Sequence, residues 1–112
     1  MPKHSSISLP AMTAAASGAA ALMKALSNEN RLMILCYLIA QGEMHVGELV
    51  SKVGLSQSAL SQHLAKLRDE GLVTYRRESQ TLFYRVSDER AANILVLLQQ
   101  MYCPELQETE EG

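Results

Sequence analysis

The chain has 112 residues, 47% of them hydrophobic and 20% charged, with a formal net charge of -2. That length fits one domain, and so small a domain gains core by pairing with a second copy. The composition is that of an ordinary globular protein, and the slightly acidic balance excludes a basic protein that coats nucleic acid indiscriminately.

Met1 to Pro10 is rich in Ser and Pro, so residues 1–11 read as a disordered arm and the first helix starts at Met12. Ala14 to Ala25, downstream of Lys3, superficially resembles a secretory leader. Alanine is a weak hydrophobe, however, and Ser17, Gly18 and Lys24 interrupt the run. Elsewhere nothing approaches the roughly 20 apolar residues of a membrane span, so the expectation is a cytoplasmic protein with no membrane partner.

Ser27 or Asn28 caps a second helix that runs through Gln41 and ends before Gly42. Its apolar positions include Leu32, Leu35, Cys36 and Ile39, which sets Cys36 on or beside the buried stripe. Val46 to Val53 is a short helix with Val46, Leu49, Val50 and Val53 inward, and Gly54 supplies the left-handed turn that a Cβ disfavours. Ser56 caps the following helix, in which Leu60, Leu64 and Leu67 form the core stripe. Gln57, Ser58, Ser61, Gln62 and Lys66 are left facing solvent or a ligand. Helix, Gly-containing turn and a second helix opening on small polar residues make a helix-turn-helix, whose second helix reads the DNA major groove. Gln and Ser near that helix's start can hydrogen-bond base edges and phosphates.

After Gly71 the period changes to two. Leu72 to Arg77 and Leu82 to Ser87 read as strands joined by Glu78-Ser79-Gln80-Thr81, a wing carrying Arg76 and Arg77 near its tip. Arg on such a wing suits the negative potential of the minor groove or the flanking backbone. Lys66, Arg68, Arg76, Arg77 and Arg85 lie in or after the reading helix, whereas Glu105, Glu108, Glu110 and Glu111 crowd a disordered acidic tail at 104–112. The last helix, Asp88 to Tyr102, contains Ile94-Leu95-Val96-Leu97-Leu98. One helix face cannot hold five consecutive apolar residues, so this helix is covered on two sides. The expected fold is therefore a winged helix-turn-helix spanning 12–103, mainly α with a small β-hairpin. The first helix, with Leu22, Met23 and Leu26, and the last pair it into a homodimer. Two reading helices about 34 Å apart then favour double-stranded DNA bearing an inverted repeat.

The segments Lys24 to Leu35 (KALSNENRLMIL) and Leu55 to Val73 (LSQSALSQHLAKLRDEGLV) resemble those of ArsR/SmtB-type winged-helix repressors, in that family's order, and the likeness extends over Ala21 to Pro104. The resemblance implies a homodimeric repressor released by an inducer, and it adds His63 to the reading-helix residues. Metal-sensing members carry Cys-x-Cys in the third helix, where this chain has His45 and Gly47, or ligands along the last helix, where Asp88 is followed by Arg90, Met101 and Pro104. No metal or other cofactor is expected from these departures. A non-standard metal site assembled from distant residues stays open as an alternative.

Cys36 and Cys103 remain. Taken alone they are open between small buried hydrophobes and reactive thiols, because a helix C-terminus and apolar surroundings both disfavour a thiolate. The segments LMILCYL and MYCP resemble the dithiol BigR/SqrR/HlyU/YgaV group of the same family. That resemblance implies that persulfide or another oxidant crosslinks the pair through a disulfide or polysulfide and weakens operator binding. A small thiol enzyme is the other alternative, but no Thr, Arg and Pro constellation surrounds Cys36 to activate it, so no catalytic residue is expected.

Overall fold

The computed structural model describes residues 7–104. Five helices and three short strands follow in the order α1 (Leu9–Leu26), α2 (Glu29–Gln41), β1 (Met44–His45), α3 (Val46–Val53), α4 (Gln57–Asp69), β2 (Val73–Glu78), β3 (Thr81–Val86) and α5 (Glu89–Tyr102). Each helix starts where a side chain satisfies an otherwise orphaned backbone N–H. Ser8, Asn28, His45, Ser56 and Asp88 accept from Ala11, Arg31, Glu48, Ala59 and Ala91 respectively. The winged helix-turn-helix expected from periodicity is the fold observed.

The start of α1 and the number of strands in the sheet differ from expectation. α1 begins at Leu9 rather than Met12, because Ser8 caps it and Pro10 sits in the first turn, where a missing N–H costs nothing. The rest of the expected arm, residues 1–6, and all of the acidic tail after Pro104 lie outside the described residues. The sheet has a third strand: Met44 and His45 pair antiparallel with Tyr84 and Phe83, giving the order β1-β3-β2. Two residues are too few for an alternating pattern to register in the sequence. The wing itself runs in register from Val73↔Val86 to Glu78↔Thr81, and Ser79 in its two-residue turn takes a positive φ of 61°.

The core is one cluster centred on α2. Ile34, Leu35 and Leu38 of α2 meet Leu49 of α3, Leu60, Leu64 and Leu67 of α4, Met44 and Tyr84 of the sheet, and Ala91 and Leu95 of α5. The α4 stripe is the one its sequence spacing marks. On α2 the buried line is Ile34, Leu35 and Leu38, with Leu32, Cys36 and Ile39 on its flanks and half-buried. Gly54 ends α3 at φ 74°, ψ 18°, a conformation costing a non-glycine residue roughly 1–2 kcal/mol.

Two helices are left under-covered in the protomer. On α5 only Leu95 of the five-residue apolar run is buried; Val96, Leu97 (52% exposed) and Met101 (58%) face out. On α1 only Leu26 is buried, while Leu9, Met12 and Met23 are exposed. At 18 residues with mean hydropathy 1.2, α1 passes the length and composition test for a bilayer span. Much of that hydropathy is alanine, and Leu22, Ala25 and Leu26 at its C-terminal end pack on the core, which ties α1 to the globular unit. Arg31 reinforces the tie: its Nη1 donates to the Ala25 carbonyl and to Glu70 Oε1, both at 3.1 Å, linking the α1–α2 junction to the end of α4.

Candidate functional site

Gln57, Ser58, Ser61, Gln62 and Lys66 of α4 are all exposed, outside the buried Leu60–Leu64–Leu67 stripe. Ser56 is also exposed, but its Oγ accepts from the Ala59 amide at 3.1 Å, so its first duty is to start the helix. His63 sits apart from this face. It is half-buried and lines, with Lys66, Arg31 and Arg90, an open cleft of about 900 Å³ between α1, α4 and the start of α5.

The two wing arginines differ. Arg76 is held by Glu43, with its Nη2 2.8 Å and Nε 3.0 Å from the two carboxylate oxygens, and its guanidinium lies 4.5 Å from the Phe83 ring centre. Arg77 has no acidic partner within ion-pair distance among the described residues and is exposed beside the tip. Arg68 stacks on Tyr75 at 4.4 Å, bracing the end of α4 against the wing.

Arg76 beside Glu43 holds that carboxyl below its ordinary range. A carboxylate depressed in the folded state stabilises the fold above its unfolded pKa, and the contribution is lost as pH falls through the folded one. Acidification below the ordinary glutamate range therefore releases the wing from the β1 approach, and Glu43→Gln removes that component of acid sensitivity. Thermal melts of both proteins across the acid range check this; a parallel acid response in the two would contradict it. Because the pair is exposed, the difference is small and fades in high salt.

The cysteines are both free thiols and both half-buried. Cys36 lies in the middle of α2, and Cys103 caps the end of α5, its N–H donating to the Gln99 carbonyl at 2.8 Å. Sixty-three residues after Cys36 in the chain, Gln99 donates from Nε2 to the Cys36 carbonyl at 2.9 Å. Burial pushes the Cys36 thiol above its ordinary pKa, the adjacent Gln99 amide opposes the rise, and nearby Cys103 adds to it. The fold thus places Cys103 near enough to Cys36 to oppose ionisation of that thiol, although neither helix alone suggests it. On α5 the buried line Ala91, Leu95 and Gln99 advances by four residues and points toward the body of the protein, and Cys103 follows as the half-buried C-cap.

His45 has a structural role at the start of α3. It caps α3 in a reciprocal pair with Glu48: the Glu48 N–H donates to His45 Nδ1 at 3.4 Å, and the His45 N–H donates to Glu48 Oε1 at 3.0 Å. A Cβ at Gly47 would stand 3.1 Å from the His45 ring. No cluster of three His, Cys, Asp or Glu residues occurs among the described residues.

Sequence reasoning passed over three residues of this region: Glu43, which tethers Arg76; His45 as a helix cap; and Gln99, a polar residue only 4% exposed. For His45 a signal existed in the three-residue spacing to Glu48. Gln99 was marked only by its place on the Ala91–Leu95–Cys103 line.

A helix-turn-helix with an exposed polar reading face, an adjoining β-wing and under-covered terminal helices defines a winged-helix DNA-binding transcriptional regulator. Residues 28–75 match the family model described as "Bacterial regulatory protein, arsR family". The chain is 48% identical over 101 residues to the transcriptional activator HlyU of Vibrio cholerae serotype O1, covering 90% of this chain and 93% of that one. It is 44% identical over 97 residues to the biofilm growth-associated repressor of Agrobacterium fabrum, covering 87% and 82%. A solved structure described as "Reduced HlyU from Vibrio cholerae N16961" superimposes with a TM-score of 0.80 at 49% identity, over 85% of this chain and 99% of that one. The protein belongs to the ArsR family of bacterial transcriptional regulators.

Proposed function

We propose that this regulator is a cytoplasmic homodimer, paired through α1 and α5, that binds an inverted-repeat operator and releases it when a persulfide or another oxidant crosslinks Cys36 to Cys103. The observation that supports the sensing role is that both free thiols sit where α5 packs on α2, with Gln99 of α5 donating to the Cys36 carbonyl and Cys103 near enough to influence the Cys36 thiol. That junction joins the core supporting the reading head to a helix whose other face is bare. A crosslink there favours one setting of α5 and so changes the spacing of the two reading helices. Coupling of about 1–3 kcal/mol changes operator occupancy from severalfold to more than a hundredfold.

In the operator complex, Gln57, Ser58, Ser61 and Gln62 meet base edges, while Lys66 and Arg77 meet phosphates or the minor groove. Ser56 offers its backbone at the helix start. Arg76 contributes field from its Glu43 tether, and His63 acts from the flank of the helix. The description of one relative's structure as reduced is consistent with a redox-dependent state in that protein.

The chemistry balances with a persulfide alone. The Cys36 thiolate attacks the outer sulfur of R–S–SH, forming Cys36–S–SH and expelling RS⁻. The Cys103 thiolate then attacks Cys36 Sγ and expels HS⁻, so two protein thiols and one persulfide become one disulfide, one small thiol and hydrogen sulfide. If both cysteines are first persulfidated, attack of one on the inner sulfur of the other leaves a trisulfide and releases HS⁻. Which product forms depends on the reach between the two side chains, since a direct disulfide needs Cα atoms about 4.4–6.8 Å apart.

The test treats fully reduced protein with glutathione persulfide, hydrogen peroxide or diamide, identifies the Cys36 and Cys103 products by mass spectrometry, and measures affinity for a promoter duplex on the same samples at several salt concentrations. Crosslinking with a parallel loss of affinity is expected, together with the steep salt dependence of phosphate contacts. Full crosslinking with operator affinity unchanged would overturn the reading.

A further inference from the structure

Among the described residues Gln99 is the one polar or charged residue that is buried, and its side chain reaches from α5 to the backbone of Cys36. Its position is unusual on energetic grounds. A primary amide carries two donors and an acceptor, and withdrawing it from water is unfavourable unless partners meet it. A leucine would continue the Ala91–Leu95 line into the core without that demand. The partner Gln99 does find is the Cys36 carbonyl, at 2.9 Å, and its own backbone carbonyl accepts from the Cys103 N–H at 2.8 Å. The first bond is made by the glutamine side chain and ties α5 to Cys36; the second is the backbone bond that closes the last turn of α5 and sets Cys103 one turn beyond Gln99.

We propose that Gln99 is the positioning residue of the thiol pair: its amide sets α5 against α2 at the level of Cys36 and turns a donor toward the Cys36 sulfur when that sulfur carries charge. This inference rests on the dithiol reading above and deepens it. Nε2 has two hydrogens. One is engaged by the Cys36 carbonyl, and the same residue's side chain is the natural recipient of the second. Such a hydrogen bond opposes the effect of burial on the thiolate, in the direction noted for this site. The amide thus gives a half-buried thiol enough charged form to attack a persulfide, while keeping Cys103 within reach for the second step.

Two variants separate this role from simple packing. Gln99→Leu keeps the volume and removes the donor, whereas Gln99→Glu keeps the shape and, when ionised, can only accept. The readout is the pH profile of Cys36 alkylation by iodoacetamide, measured in the full chain with Cys103→Ser so that one thiol reports. Expected is a profile moved to higher pH in both variants, with alkylation about tenfold slower at neutral pH and equal to the parent at the alkaline plateau. A merely structural glutamine gives a different result: loosening of α5 speeds alkylation at every pH, or the melting temperature falls with the profile unmoved. Either outcome overturns the proposal. If one variant does not fold, judged by circular dichroism, the other decides. Persulfide crosslinking of the protein with Gln99 and both cysteines intact is scored separately: its absence overturns the dithiol reading, whereas an unmoved profile overturns the role of Gln99.

Discussion

Cys36→Ser and Cys103→Ser each bind the promoter duplex with the affinity of the parent protein and fail to respond to persulfide. Neither cysteine lies on α4 or the wing, so removing one sulfur leaves the reading face intact. Serine replaces a half-buried thiol with a small hydroxyl, a change of modest consequence at partly exposed sites. The response, by contrast, requires both atoms, because the second step of the exchange needs a second thiolate. In the parent protein persulfide lowers operator affinity by about fivefold to a hundredfold, and in either variant by less than about twofold. Fluorescence anisotropy on a labelled duplex, before and after treatment, measures both. A single variant that still loses affinity would show that persulfidation of one residue suffices and that no crosslink is involved.

Leu97→Glu converts the regulator to a monomer and lowers operator affinity at least about a hundredfold. The side chain is 52% exposed in the protomer, so the substitution leaves the core around Leu95 and Ala91 in place. In the proposed dimer it lies on the bare face of α5 with Val96 and Met101. Losing one buried apolar side chain is worth roughly 1.5–3 kcal/mol, and two-fold symmetry applies the loss twice. Two carboxylates brought into an apolar interface add their desolvation and mutual repulsion. The resulting weakening of several kcal/mol raises the dimer dissociation constant by more than about a hundredfold. Operator binding falls with it because two half-sites are no longer engaged by one linked particle. Analytical ultracentrifugation together with circular dichroism separates dissociation from unfolding; a folded Leu97→Glu protein that still sediments as a dimer would place the interface elsewhere.

Much of the reading head was legible from local signals. The turn at Gly54, the cap at Ser56 and the Leu60–Leu64–Leu67 spacing are all short-range features, and α3 and α4 occupy nearly the residues those signals delimit. The wing was legible for the same reason, since its alternation and its turn lie within one short stretch of chain. β1 was not, because a two-residue strand is defined only by its partner on β3. The difference between Arg76 and Arg77 was also hidden. Adjacent in sequence and identical in type, they part company because Glu43, thirty-three residues earlier, reaches one of them.

By itself, then, the order of residues determined the elements, the helix-turn-helix and the polar face that confronts DNA, because capping, turn chemistry and periodicity act over a few residues along one chain. Only the tertiary structure decided that Gln99 is buried with its amide on the Cys36 carbonyl, that Cys103 comes near enough to influence the Cys36 thiol, and that the outer faces of α1 and α5 remain bare within one protomer. Those relations depend on how α5 seats against α2, an outcome of packing between segments some sixty residues apart that no local pattern encodes.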